Sequence, residues 1–208
     1  MKAGDLCPII IIGSSTGGPH ALEKIFSRVS RVPSAIVIVQ HLSHSFVPLL
    51  RTHIHEVCSA PTVIPSEGDP ISTGTIYIAP GGRHLLIRNN RIFSFSDAEK
   101  LHGVRPSIDV TMRSLRPEPG IRCMGILLTG MGEDGATGIA HIKKLGGITV
   151  VQEPGTCAIR SMPLAALATG SVDYTLTPDA VADMINNFNP GETRSSRQCT
   201  DRQAGGKK

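Results

Sequence analysis

The sequence predicts an α/β fold built on a parallel sheet with crossover helices. Two patterns carry that expectation. Wholly apolar runs recur along the 208 residues, and stretches with apolar residues at helical spacing lie between them. A third observation adds an inserted antiparallel hairpin: two short alternating runs flank Asn89-Asn90, a pair suited to a two-residue turn.

The first run, 7–12, is almost entirely apolar, as a strand buried on both faces must be. A glycine-rich turn follows, and Pro19 stands at a first helical position. Leu22, Ile25, Phe26 and Val29 then share one helix face. Residues 35–39 form a second buried strand after Pro33, and 45–57 a helix. Short strands are expected at 63–64 and 75–79, and the hairpin arms at 85–88 and 91–95. Residues 96–106 read as a polar loop, with a helix starting at Ser107.

Residues 122–128 form another core strand. The next helix uses Ile139, Ile142 and Leu145 and stops at Gly146-Gly147. A strand at 148–151 leads to a short helix opened by Pro163 and ended by Gly170. The last strand is 172–176. Thr177-Pro178 then starts a helix with Val181, Met184, Ile185 and Phe188 on one face. Beyond Pro190 apolar residues nearly vanish, so the expected organisation is one domain over 1–190 and a basic, disordered tail over 191–208.

Composition narrows the function classes. The chain carries a net charge of +4, but 191–208 holds five basic and two acidic residues, so +3 of it sits in the tail. With no Trp, two Tyr and five Phe there is no platform for stacking bases, and nucleic acid is not an expected partner. The five cysteines are odd in number and show no C-x-x-C, which fits a reducing, cytoplasmic setting. No apolar run approaches the roughly 20 residues of a membrane helix, so membrane insertion is not expected.

The chemistry begins at Gly13-Ser14-Ser15-Thr16-Gly17, a G-x-S-x-G pattern between a predicted strand and helix. Such a turn exposes the central hydroxyl, and the helix start offers N–H groups to a developing oxyanion. The same pattern also fits a turn that merely binds an anion. A dinucleotide fingerprint is excluded because Ser15 stands where the second glycine would be, and a P-loop because Pro19 follows Gly18.

Serine needs a base. His41 follows the second strand directly, and parallel strands deliver their following loops to one sheet edge. Asp134 follows a third strand to that edge. It can orient an imidazole, or simply cap the next helix. The order Ser, His, Asp departs from the Ser, Asp, His order of α/β-hydrolases. His44, His53 and His55 lie near His41, but their spacing matches no strong zinc motif, and they read as surface or packing residues. Met124, Met131 and Met162 fit the role of core fillers.

These residues together resemble the catalytic domain of the chemotaxis protein-glutamate methylesterases. The matching stretches are IGSSTGG (12–18), VQHL (39–42), YIAP (77–80), RPSIDV (105–110), LTGMGEDG (128–135) and Met162-Pro163, in family order. The resemblance implies a doubly wound α/β fold with a mainly parallel sheet. It implies Ser15 as nucleophile, His41 as general base and acid, and Asp134 as the orienting carboxylate. Thr16 and Met131 would line the site, with an oxyanion-binding amide near Met131. It further implies hydrolysis of glutamate methyl esters to carboxylate and methanol, deamidation of selected glutamines, and no metal or organic cofactor. The implied partners are methylated cytoplasmic domains of chemoreceptors or similar signalling proteins. Relatives carry a phosphorylation receiver ahead of this domain. Here the first catalytic strand begins near Cys7, so the expectation is a stand-alone domain whose receiver, if any, is a separate protein. Two rival readings are a non-catalytic binding module of the same fold and a small-ester hydrolase.

Overall fold

The computed structural model describes residues 7–188; the expected tail over 191–208 lies outside them. Seven strands form one parallel sheet: β1 (Ile9–Ser14), β2 (Ala35–Gln40), β3 (Thr62–Val63), β4 (Ile76–Ile78), β7 (Cys123–Leu127), β8 (Ile148–Gln152) and β9 (Tyr174–Leu176). Their order is β3-β4-β2-β1-β7-β8-β9. The remaining strands, β5 (His84–Arg88) and β6 (Ile92–Ser96), pair antiparallel as the inserted hairpin. Asn89 and Asn90 take φ of 51° and 55°, the left-handed pair that a tight hairpin turn demands.

Among the described residues six α-helices cover the sheet: α1 (Gly18–Phe26), α2 (Val47–Cys58), α3 (Ile108–Ser114), α4 (Ala136–Lys144), α5 (Ser161–Ala168) and α6 (Pro178–Asn186). Alternation along the strands divides the core. Ile10, Ile12, Ile36 and Ile38 pack with Leu22, Ile25, Ile54 and Ile185 of α1, α2 and α6. Ile9, Ile11, Val37 and Val39 pack with Met112, Ile139, Met162 and the hairpin's Leu85 and Phe93. Both faces are thereby covered, which is why these strands read as continuous apolar runs.

Most element boundaries shift from expectation by one or two residues, and three differences bear on the local structure. A short 3₁₀ turn, His44–Phe46, precedes α2. Helix α5 starts at Ser161, two residues before Pro163; proline is tolerated in a first turn because its missing N–H would have no intrahelical partner there. Strand β9 starts at Tyr174 rather than Val172. Cys7, Cys58 and Cys123 are buried free thiols, and burial pushes Cys123 up to about 12. Among the described residues no helix is long and apolar enough to cross a membrane.

Candidate active site

The sheet reverses its winding between β1 and β7: the chain runs outward from β1 through β2, then crosses back to β7 on the other side. In open parallel sheets the crevice beyond the strand ends at such a point is where ligands bind. Ser15 stands there, one residue past β1, half-buried, with Thr16 exposed beside it. The Ser15 amide donates to the Thr129 carbonyl at 3.0 Å, which ties the β1–α1 turn to the loop after β7. The Thr129 hydroxyl donates to the Thr16 carbonyl at 3.0 Å.

The loop after β7 can approach because residue 130 is glycine. A Cβ on Gly130 would lie 2.8 Å from Ser15 Cβ and would strike Met162 Sδ. Helix α5 holds this loop: the Ser161 hydroxyl donates to the Gly130 carbonyl at 3.0 Å and accepts the Gly132 amide at 3.1 Å. Met131 is 75% exposed, whereas Met124 and Met162 are fully buried. The expectation of a core filler therefore fails for Met131 and holds for the other two. The amides of Thr16 and Met131 donate to no acceptor among the described residues. Gly17 is the N-cap of helix α1, and no side chain closes that N-terminus.

His41 follows β2 as Ser15 follows β1. The last register pair is Ser14 with Gln40, and the His41 amide donates to the Ser14 carbonyl at 3.0 Å. Ser15 and His41 thus leave adjacent strands at the same level. His41 Nε2 meets Asp134 Oδ2 at 2.8 Å. Donation of its Nε2 proton to that carboxylate leaves Nδ1 with a lone pair, the form a base requires. No hydrogen bond joins the Ser15 hydroxyl to His41 in this structure.

Asp134 is 2% exposed and accepts four hydrogen bonds. Besides His41, the donors are the Ser107 hydroxyl at 2.7 Å and the amides of Ile108 at 2.7 Å and Asp109 at 3.1 Å. Burial pushes its carboxyl up, but the bonds from His41, Ser107 and the two amides prevail and hold it below the usual carboxylate range. The reading of Asp134 as cap of the helix that follows it is corrected: α4 is capped by Gly135, and Asp134 closes the N-terminus of α3.

A second acid lies behind it. Asp109 is wholly buried; its Oδ1 accepts the Gly138 amide at 2.6 Å, while Oδ2 has no hydrogen bond and faces His102 Nε2 at 3.4 Å. Burial, reinforced by the charge of Asp134, pushes the Asp109 carboxyl above its usual range against the pull of the Gly138 amide. His102, Asp109 and Asp134 each bring one ligand-type atom within 4.8 Å of the others. The Asp134 oxygens are already filled by four donors, so this cluster does not present a vacant three-ligand cation site.

The sequence pattern thus located Ser15, His41 and Asp134 at one sheet edge, and the structure brings His41 and Asp134 into contact. The other histidines near His41 are apart from them: His44 and His55 are exposed, and His53 Nε2 lies 3.7 Å from Glu23. Sequence reasoning missed Ser107, whose hydroxyl holds Asp134, and the buried glutamines Gln40 and Gln152 at the ends of β2 and β8. The signal was present: a polar residue closing an otherwise apolar strand must find buried partners.

Comparison with known proteins identifies the fold and the family. A protein-glutamate methylesterase/protein-glutamine glutaminase of Symbiobacterium thermophilum is 36% identical over 185 residues, 88% of this chain and 51% of the relative. A protein of the same description from Archaeoglobus fulgidus is 35% identical over 191 residues, 90% of this chain and 54% of its own. The chain therefore spans about half the length of the curated relatives it matches. The crystal structure of the Thermotoga maritima CheB methylesterase catalytic domain superposes with a TM-score of 0.81 at 29% identity, covering 88% of this chain and 99% of that one. The CheB methylesterase family profile matches residues 10–185, and this chain belongs to that family.

Proposed function

We propose that the chain is a protein-glutamate methylesterase that acts through Ser15, His41 and Asp134, with residues 1–190 as its catalytic unit. The observation that carries this reading is the His41–Asp134 contact at 2.8 Å, with His41 level with Ser15 one position past the last β1–β2 pair at the winding reversal. His41 Nδ1 takes the Ser15 proton as Oγ attacks the ester carbonyl. The oxyanion is received by the amides of Thr16 and Met131. His41 then returns the proton to the methoxy oxygen, and methanol leaves a Ser15 acyl ester. Water, deprotonated by His41, attacks that ester and frees the glutamate carboxylate and Ser15. Asp134 remains ionised throughout and stabilises the imidazolium. The same steps on a glutamine amide release ammonia, which accords with the second activity in the relatives' descriptions.

The substrate class is methylated glutamates of the cytoplasmic domains of chemoreceptors or similar signalling proteins, which places the protein in the cytoplasm. A methanol-release assay on methylated receptor tests the reading. Release by the wild-type chain and its loss in Ser15→Ala are the expected results. Receptor binding without any methanol release would favour a non-catalytic module of this fold.

A further inference from the structure

Gln40 closes β2 after five apolar residues and is 3% exposed, so its amide must be satisfied inside the protein. Its nitrogen donates to the Ser15 carbonyl at 2.9 Å and to the His41 carbonyl at 3.3 Å. Its oxygen accepts the buried Ser14 hydroxyl at 2.6 Å. The orientation of the amide follows from chemistry: two carbonyls can only accept, so the nitrogen must face them and the oxygen must face Ser14.

The arrangement needs room that one glycine supplies. A Cβ on Gly18 would collide with Gln40 Oε1 and lie 2.9 Å from Ser14 Cβ. The regular β1–β2 ladder ends with the His41 amide on the Ser14 carbonyl. Beyond that rung both strands have ended, and the Gln40 side chain supplies the next link between the two segments.

We propose that Gln40 is a positioning residue, oriented by Ser14, that ties the backbone of Ser15 to that of His41 and so fixes the spacing across which the proton passes. This rests on the reading of Ser15 and His41 as nucleophile and base. Gln40 touches no substrate in this role. Its loss would lower turnover through displacement of the pair and leave substrate binding unchanged.

The test is a double-mutant cycle on methanol release from methylated receptor. Gln40→Met keeps the size of the side chain and removes both links to the carbonyls. Displacements of this kind cost about 10–100-fold in kcat, with KM changed by less than about 2-fold. In a His41→Ala background the same substitution should change the residual rate by less than about 2-fold, because the relationship it maintains is already gone. Equal fold-losses in both backgrounds would assign Gln40 to general stability and overturn the proposal. If Gln40→Met does not fold, as read by thermal unfolding, Ser14→Ala serves instead: it frees only the amide oxygen, and it should lower kcat about 3–10-fold in the wild-type background and not in His41→Ala. A folded Gln40→Met with unaltered kcat, beside an inactive His41→Ala, overturns this proposal alone. A fully active His41→Ala overturns the reading of the site and this proposal with it.

Discussion

Asp134 Oδ2 accepts the Ile108 amide at 2.7 Å, so the carboxylate that orients His41 also closes the N-terminus of α3. One side chain joins the loop after β7, the loop after β2 and a helix that begins 26 residues earlier in the chain. Removing it should affect stability and chemistry together. Asp134→Ala strands two buried amides and should cost about 2–5 kcal/mol in denaturant unfolding. Asp134→Asn should lower kcat by about two to four orders of magnitude in methanol release. Ser107→Ala, which removes one of the four donors, should cost about 1–2 kcal/mol.

The neighbouring acids predict opposite pH dependences. Asp134 is held below its unfolded value, so its stabilisation is present above that value and is lost as pH falls through the folded one. Asp109 is raised, so its ionisation destabilises the fold increasingly as pH rises from the unfolded value through the folded one. The groups facing Asp109 are His102 and Asp134, and Glu133 lies 3.2 Å beyond on the other side of His102. Asp109→Asn keeps the acceptor for the Gly138 amide and removes the buried charge. It should raise the melting temperature near pH 7.5 by more than it does near pH 4, close to the ordinary carboxyl value, read by calorimetry at both values. A gain that is equal at both values would show that burial of the charge is not what strains this position.

Ser15→Ala and His41→Ala should each lower turnover by several orders of magnitude, and the double variant should be little worse than either. Multiplicative losses in the double variant would mean that the two side chains do not share one proton-transfer step. Ser14→Ala should cost far less than Ser15→Ala, since Ser14 is buried and its hydroxyl is committed to Gln40.

The methionines separate by burial. Met131→Ala should leave unfolding within about 0.5 kcal/mol of wild type, because its side chain lies in solvent. Its effect should appear in KM for methylated receptor. Met162→Ala should cost about 2–5 kcal/mol through the cavity it leaves. A strongly destabilised Met131→Ala would contradict the exposed placement.

The sequence by itself determined the elements and the sheet edge to which Ser15, His41 and Asp134 are delivered. Short continuous apolar runs bounded by turn residues fit strands covered on both faces, and parallel strands send every following loop to one side. That much carried Ser15, His41 and Asp134 to a common rim, and Asn89-Asn90 to a hairpin turn. Only the tertiary structure decided the pairings across the chain. Asp134 and His41 are 93 residues apart, and nothing local to either specifies that one accepts a proton from the other. Local reasoning left Asp134 two roles, to orient an imidazole or to cap α4, the helix beside it in sequence. The folded chain offers it four donors from the loop after β2 and the N-terminus of α3, and four hydrogen bonds to a buried carboxylate outweigh one cap that glycine can fill. Met131 followed the same rule in reverse: its apolar type suggested the core, but the loop that carries it is pinned by Thr129, Gly130 and Ser161, which leaves its side chain outside. Residue type states what a side chain requires, and the long-range packing of loops determines which partner meets the requirement.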